Sequence, residues 1–391
     1  MAEQLQKFVS QNKDVVETVM EVFEQGAEVV ASIAGDLFPL FSIAAPLVKL
    51  ALDNVESKEA VYMAEQFQKV RGRLEAVSEE IQEINDEIKK SGIDVTYFSV
   101  EENLTHQFRK FMEIFKAKPE FKTVKKDAFM ECFKKTGGVK NLHKLYNAVT
   151  GNNFPGESVL EIMLKYEQNS RRPVEEFCAM LKQLFCIGLI ALLGHAALEG
   201  YGEEEKLLQE WGEKMKEVQS KITVVVEDCI NSYPTQAELE AKRIVRDHSD
   251  KTNQQLADML TDHLKNKYDW VFWSVRVFNS PKGLFTNKKD FQGLTGKSRF
   301  QVMASDEKLN VVISYSASPE PVDKDRIQTF VSEQKKPEMT AMAEQLFEII
   351  PHCVVHTVKT SCKDLGFSCS FSDELHYNDE FKNFYVFLHS A

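Results

Sequence analysis

Residues 60–88 read AVYMAEQFQKVRGRLEAVSEEIQEINDEI, and residues 208–229 read LQEWGEKMKEVQSKITVVVEDC. In the first stretch apolar side chains fall at Ala60, Met63, Phe67, Val70, Leu74, Val77, Ile81, Ile84 and Ile88. In the second they fall at Leu208, Trp211, Met215, Val218, Ile222, Val225 and Cys229. Steps of three and four place each set on one stripe of a helix, and a sustained period near 3.5 marks long helices packed along a narrow seam. The spacing predicts two heptad helices. Asn54 is expected to cap the first, and Ser91-Gly92 to stop it. The second should run to about Ser232, ahead of Pro234.

A small-residue-rich apolar segment precedes each stripe, over 27–52 and 177–198. The first carries Val29, Ile33, Leu37 and Phe41, and is interrupted by Asp36, Pro39 and Pro46. The second carries Leu184, Gly188, Leu189 and Leu192, and should start near Pro173 and end at 199–202. Two readings are open. Both segments could be central helices of a bundle, apolar all round because they are buried. Alternatively, they could be paired arms that open against a membrane. A span wants about twenty apolar residues; two prolines break the first segment and the second is short, so the core reading is preferred.

Residues 4–34 begin as an amphipathic helix, and 100–170 read as short helices with aromatic faces, Leu104, Phe108, Phe111 and Phe115, then Phe121, Phe129 and Phe133. A charged helical piece over 237–265 should link to the next unit. Beyond 269, WVFWSVRVF (270–278), RFQVMAS (299–305), KLNVVISYSA (308–317), HCVVHTVK (352–359) and NFYVFLHS (383–390) read as strands. Two helices are expected between them, near 323–332 and 338–350. The expected fold is mainly α: an elongated helical bundle over 1–250, then a smaller α+β domain over 265–391.

The 391 residues hold 48 basic and 60 acidic side chains, a net charge of −12. That balance argues against nucleic acid as a partner, since displacing counterions needs a cationic surface. Seven dispersed cysteines and an amino terminus without the pattern of a signal peptide point to a reducing cytosol.

The segment GAEVVASIAGDLFPLFSIAAPLVKLALDN, followed by EAVYMAEQFQKVRGRLEAVSEEIQEIN, resembles the rapunzel family of fish proteins and the related cephalotoxin-like helical domain. The resemblance covers about 5–245, including QLFCIGLIALLG and the helix after it. It implies a cephalotoxin-like helical fold and a part in growth, development or signalling control. It carries over no catalytic residue, and the α+β part lies outside it.

One basic region stands out, since 105–145 holds eleven Lys/Arg and four Asp/Glu. Within it Lys118, Lys122, Lys125, Lys126, Lys134 and Lys135 could meet an anionic membrane surface or an acidic partner, or be the solvated faces of amphipathic helices. Residues 293–298, GLTGKS, lack the first glycine of a phosphate loop, where Phe291 stands, and read as a turn between strands. His352 and His356 on a strand lie roughly 13 Å apart, too far for one metal, and Cys362 and Cys369 lack zinc spacing. No cofactor is therefore expected and no catalytic constellation is evident. The sequence suggests a non-enzymatic interaction protein with an unidentified protein partner, the alternative being a membrane-inserting protein like the helical pore-forming toxins.

Overall fold

The computed structural model describes residues 2–25, 35, 38–55, 57–72, 94–152, 157–280, 291–303, 309–334, 338–350 and 352–391. They divide into two compact units, Met1–Asn231 and Ser232–Ala391. The division falls upstream of the 250–265 interval suggested by composition.

The first unit is helical. Its elements are α1 (Ala2–Gln25), α2 (Phe38–Phe41), α3 (Ala44–Leu52), α4 (Lys58–Gly72), α5 (Asp94–Lys116), α6 (Lys122–Lys135), α7 (Lys140–Thr150), α8 (Val159–Tyr166), α9 (Arg171–Glu199) and the first part of α10 (Glu204–Asp247). Prolines split the first apolar segment as expected. Pro39 and Pro46 each sit in the first turn of a short helix, where no intrahelical N–H bond is lost. Phe41 is buried, whereas Val29, Ile33 and Leu37 lie outside the described residues.

Helix α9 is the centre of this unit. It packs against α3, α5, α4, α7 and α2, and 94% of its most apolar stretch is buried. Leu184, Leu189 and Leu192 all lie in the core, and Gly188 sits among them. By length and composition α9 could cross a membrane; here its apolar surface is covered on every side. Gly200, at φ +78°, ends it in the left-handed conformation that glycine adopts without strain.

Of the first heptad stripe, Met63 and Phe67 are buried on α4. The Val70 side chain and Leu74, Val77, Ile81, Ile84 and Ile88 lie outside the described residues. The second stripe is clear: Trp211, Met215, Val218, Ile222, Val225 and Cys229 are all buried in the helical core. Trp211 lies beside His143 of α7, ring centroids 5.0 Å apart.

Two expected helix ends are corrected. Asn54 does not cap α4; it has φ +54° and closes α3 instead, while the Ser57 hydroxyl accepts from the Ala60 N–H at 3.2 Å and opens α4. Nor does Pro234 stop the second heptad helix, since α10 continues through it to Asp247. An interior proline costs about 3 kcal/mol. Beyond it Ala237, Ala241, Ile244 and Val245 continue the helical step into the core of the second unit. Burying two branched side chains at about 1.5–3 kcal/mol each outweighs that cost.

The second unit adds α11 (Asn253–Lys267), β1 (Phe272–Asn279), β2 (Gln292–Thr295), β3 (Arg299–Met303), β4 (Leu309–Ser316), α12 (Lys324–Glu333), α13 (Met339–Ile349), β5 (Cys353–Lys359), β6 (Lys363–Cys369), β7 (His376–Phe381) and β8 (Phe384–Ser390). They form two antiparallel sheets, ordered β3-β4-β1-β6 and β2-β5-β8-β7. Alternate residues Trp273, Val275 and Val277 of β1 join α11 and the end of α10 in one core, while Cys353, Val355, Val386 and Leu388 join α12 and α13 in another. Phe278, Phe291, Val312, Val358 and Phe387 form a third cluster. Helix α11 buries Leu256, Ala257, Leu260 and Leu264, so the charged stretch 237–265 is part of this unit and not a link.

The turn reading of 293–298 is half right. Residues 292–295 form β2, paired with β5, and the turn comes at Gly296, φ +93°. His356 sits within β5 as a strand residue and is fully buried.

A candidate interaction groove on the helical unit

The corner between α3 and α4 is built by local rules. At the end of α3, Val55 N–H reaches back to Leu50 O at 3.1 Å and Asn54 N–H to Ala51 O at 3.4 Å. This is a Schellman closure, with asparagine in the left-handed position that it tolerates better than most residues. The Ser57 hydroxyl then caps α4 and donates to Glu59 Oε2 at 2.8 Å. That bond holds the Glu59 carboxyl below its usual range.

Opposite the corner, α5 ends at Lys116 and a short 3-10 turn over Pro119–Phe121 leads into α6. Lys122, the first residue of α6, donates from Nζ to Ala51 O at 2.5 Å. A cation on the last carbonyls of a helix is favoured by the helix dipole, so this bond ties the two walls together.

Between the walls lies an open groove of about 760 Å³. Its surface is mostly apolar, from Ala51, Val55, Ala60, Val61, Ala64, Phe115 and Pro119, and its two charged residues are both lysines, Lys58 and Lys122. Val61 is 60% exposed and Val55 44%. Next to Pro119 and Lys122 in the chain, Phe121 and Val124 are 54% and 62% exposed. Of the aromatic faces read in this region, Phe108, Phe111, Phe129 and Phe133 are buried, whereas Phe121 stands in solvent.

The structure sorts the lysines singled out in the sequence. Lys122 lines the groove, and Lys118 is exposed at the start of the 3-10 turn. Lys125 is engaged with Glu113 at 2.9 Å, which together with Lys110 lowers the Glu113 carboxyl. Lys126 is half-buried. Lys134 and Lys135 stand at the other end of α6, roughly 18 Å along the helix axis, and Lys135 pairs with Glu131 at 2.6 Å. They do not share a surface with the groove as one continuous patch.

Sequence reasoning flagged Lys118 and Lys122 for their charge and missed the groove. Residues 51–64 and 115–122 have no periodic relation, and only tertiary packing brings them together.

The cephalotoxin-like middle helical domain matches residues 54–251. Protein rapunzel of Danio rerio is 35% identical over 201 residues, which span 51% of this chain and 88% of that protein. No solved structure matches the chain. The matched region takes in the α4 side of the groove, the central helix α9 and all of α10. The chain therefore belongs to the rapunzel family, built on the cephalotoxin-like helical domain.

Proposed function

We propose that this protein works by binding and not by catalysis, as a cytosolic interaction protein in growth or signalling control whose helical unit receives a protein partner in the α3–α4 groove. The observation that carries this reading is the pairing of exposed Val55 and Val61 with Lys58 and Lys122 on a mostly apolar concave surface. Such a surface suits a segment with apolar anchors and an acidic flank, the lysines fixing orientation and speeding encounter. In cell extract the protein should elute larger than its 44.7 kDa. A Val61→Glu/Lys122→Glu variant with unchanged melting temperature should elute as the free chain. Identical elution of variant and wild type would remove the groove from the reading.

The second reading is membrane insertion, supported by the length and apolarity of α9. It would require α9 to leave a core in which its residues are already buried. Flotation with neutral and anionic liposomes separates the two. The binding reading expects the protein to remain unbound and entrapped dye to stay inside; strong leakage would favour insertion.

A further inference from the structure

The polar interior of the second unit holds an anomaly. Arg276 lies in the middle of β1, 1% exposed, with its guanidinium on the face opposite Trp273, Val275 and Val277. A guanidinium keeps its proton in proteins, and a buried charge is costly unless it is paired. Among the described residues no carboxylate pairs with it. Its Nη1 donates to Ser274 Oγ at 3.0 Å and its Nη2 to Ser314 Oγ at 2.9 Å, and Cζ stands 5.9 Å from the Phe387 ring centroid. Its Nε is buried without a partner among the described residues.

The neighbouring histidine supplies no countercharge. His389 Nδ1 faces Ser390 O at 2.6 Å and its Nε2 faces Ser314 Oγ at 2.6 Å. A carbonyl only accepts, so Nδ1 carries the proton and Nε2 accepts from the Ser314 hydroxyl. The direction of donation runs from Arg276 to Ser314 to His389 to Ser390, with His389 neutral. On the other sheet His356, fully buried, has Nε2 at 3.1 Å from Gln292 Oε1 and an Nδ1 with no partner among the described residues. Its ring lies 6.2 Å from Phe387, close to the separation of Arg276 from that same ring. Burial, with Arg276 and Arg299 adding to it, keeps His356 well below the usual histidine range.

We propose that the interior between the two sheets binds a small monovalent anion of the chloride type, held by the Arg276 guanidinium through Nε and by the His356 ring. One negative charge neutralises one guanidinium, and beside the buried Phe278, Val312 and Val358 a single-atom ion needs less room than any polyatomic anion. If the Gln292 amide turns about its Cγ–Cδ bond, its NH2 group donates to His356 Nε2. The ring proton then sits on Nδ1 and is available to the ion. The inference stands apart from the groove and from the proposed function.

Thermal melts of the whole protein in chloride and in gluconate at fixed ionic strength test it. A ligand that binds only the folded state raises the melting temperature in a saturable way. The expected result is a saturable rise of several degrees between low-millimolar and several hundred millimolar chloride, absent in gluconate and lost in Arg276→Met. Equal melting in both salts would overturn the proposal, as would chloride dependence retained in Arg276→Met. Should that variant fail to fold, wild-type crystals grown in bromide answer the question. An anomalous peak at the Arg276 guanidinium supports the site, and the lack of one there refutes it.

Discussion

A β-carbon on Gly188 of α9 would fall 2.6 Å from Leu142 Cδ2 of α7. Gly188 therefore sets how closely these helices approach. The same geometry recurs six residues on, where a β-carbon on Gly194 would fall 2.2 Å from the ring of Phe111, itself wedged against Phe115 and Phe129. Gly188→Leu, and Ala191→Leu beside it, should lower the stability of the helical unit by about 1–3 kcal/mol through overpacking. Denaturant melts measure this; an unchanged midpoint for Gly188→Leu would mean that the helices have room to spare at this contact.

The seam of α10 makes a second prediction. Met215 and Val218 are fully buried, whereas Val224 on the same helix is 50% exposed. Val218→Asp places an unpaired carboxylate in the core and should cost about 3–5 kcal/mol, comparable to orphaning one member of a buried ion pair. Val224→Asp should stay within about 0.5 kcal/mol of wild type. Equal melting of the two variants would defeat the seam assignment.

Glu240 is the buried acid of the second unit. Burial raises its carboxyl, but hydrogen bonds from His263 (2.8 Å), Lys267 and Gln236 (3.0 Å) outweigh it and hold the group at about 2. A depressed carboxylate contributes stability that is fully present above its unfolded value, near 4.5, and is lost as pH falls toward 2. That contribution is on the order of 3 kcal/mol. Glu240→Gln should destabilise the second unit at pH 7 and flatten its acid limb below pH 4.5, as read from melting curves across pH.

His389 acts over a different window. Burial holds it at about 3, against an ordinary value near 6.5, with Arg276 and His376 pushing the same way and the Ser390 carbonyl opposing. The unfolded chain therefore takes up a proton that the folded chain refuses between about pH 6.5 and 3. Stability should fall with acid at about 1.4 kcal/mol per pH unit for this group. His356, shifted in the same direction, adds to the slope. A His389→Gln variant should lose one proton's worth of that dependence; an unchanged slope would show that His389 is not kept neutral.

The sequence disclosed those parts of the fold where one face is buried over many residues. The stripe from Trp211 to Cys229 and the branched runs of β1, β4, β5 and β8 are of this kind. Strands β6 and β7 escaped notice because KDLGFSC and HYNDEF are polar strands at the ends of their sheets, and a polar edge strand resembles a loop. Pro234 misled because a local rule was outvoted by packing beyond it. The groove was illegible because residues far apart in the chain make it. Arg276 did leave a signal: a lone charge at an inward position of WSVRVF, in a strand otherwise apolar or small.

The placement of β8 bears on the order in which the protein is made. This strand, 384–390, is an interior member of its sheet, bonded to β5 on one side and β7 on the other. Until Ser390 has left the ribosome, β5 and β7 have no partner between them, and the face that α13 covers is unfinished. The compact helical unit ends at residue 231. At translation speeds of about 5–20 residues per second, its segments emerge roughly 8–30 s ahead of the last strand. For the last stretch of that interval, roughly 2–6 s after 353–359 have been made, β5 exposes an apolar edge that β8 will pair, the kind of surface on which nascent chains aggregate and chaperones act.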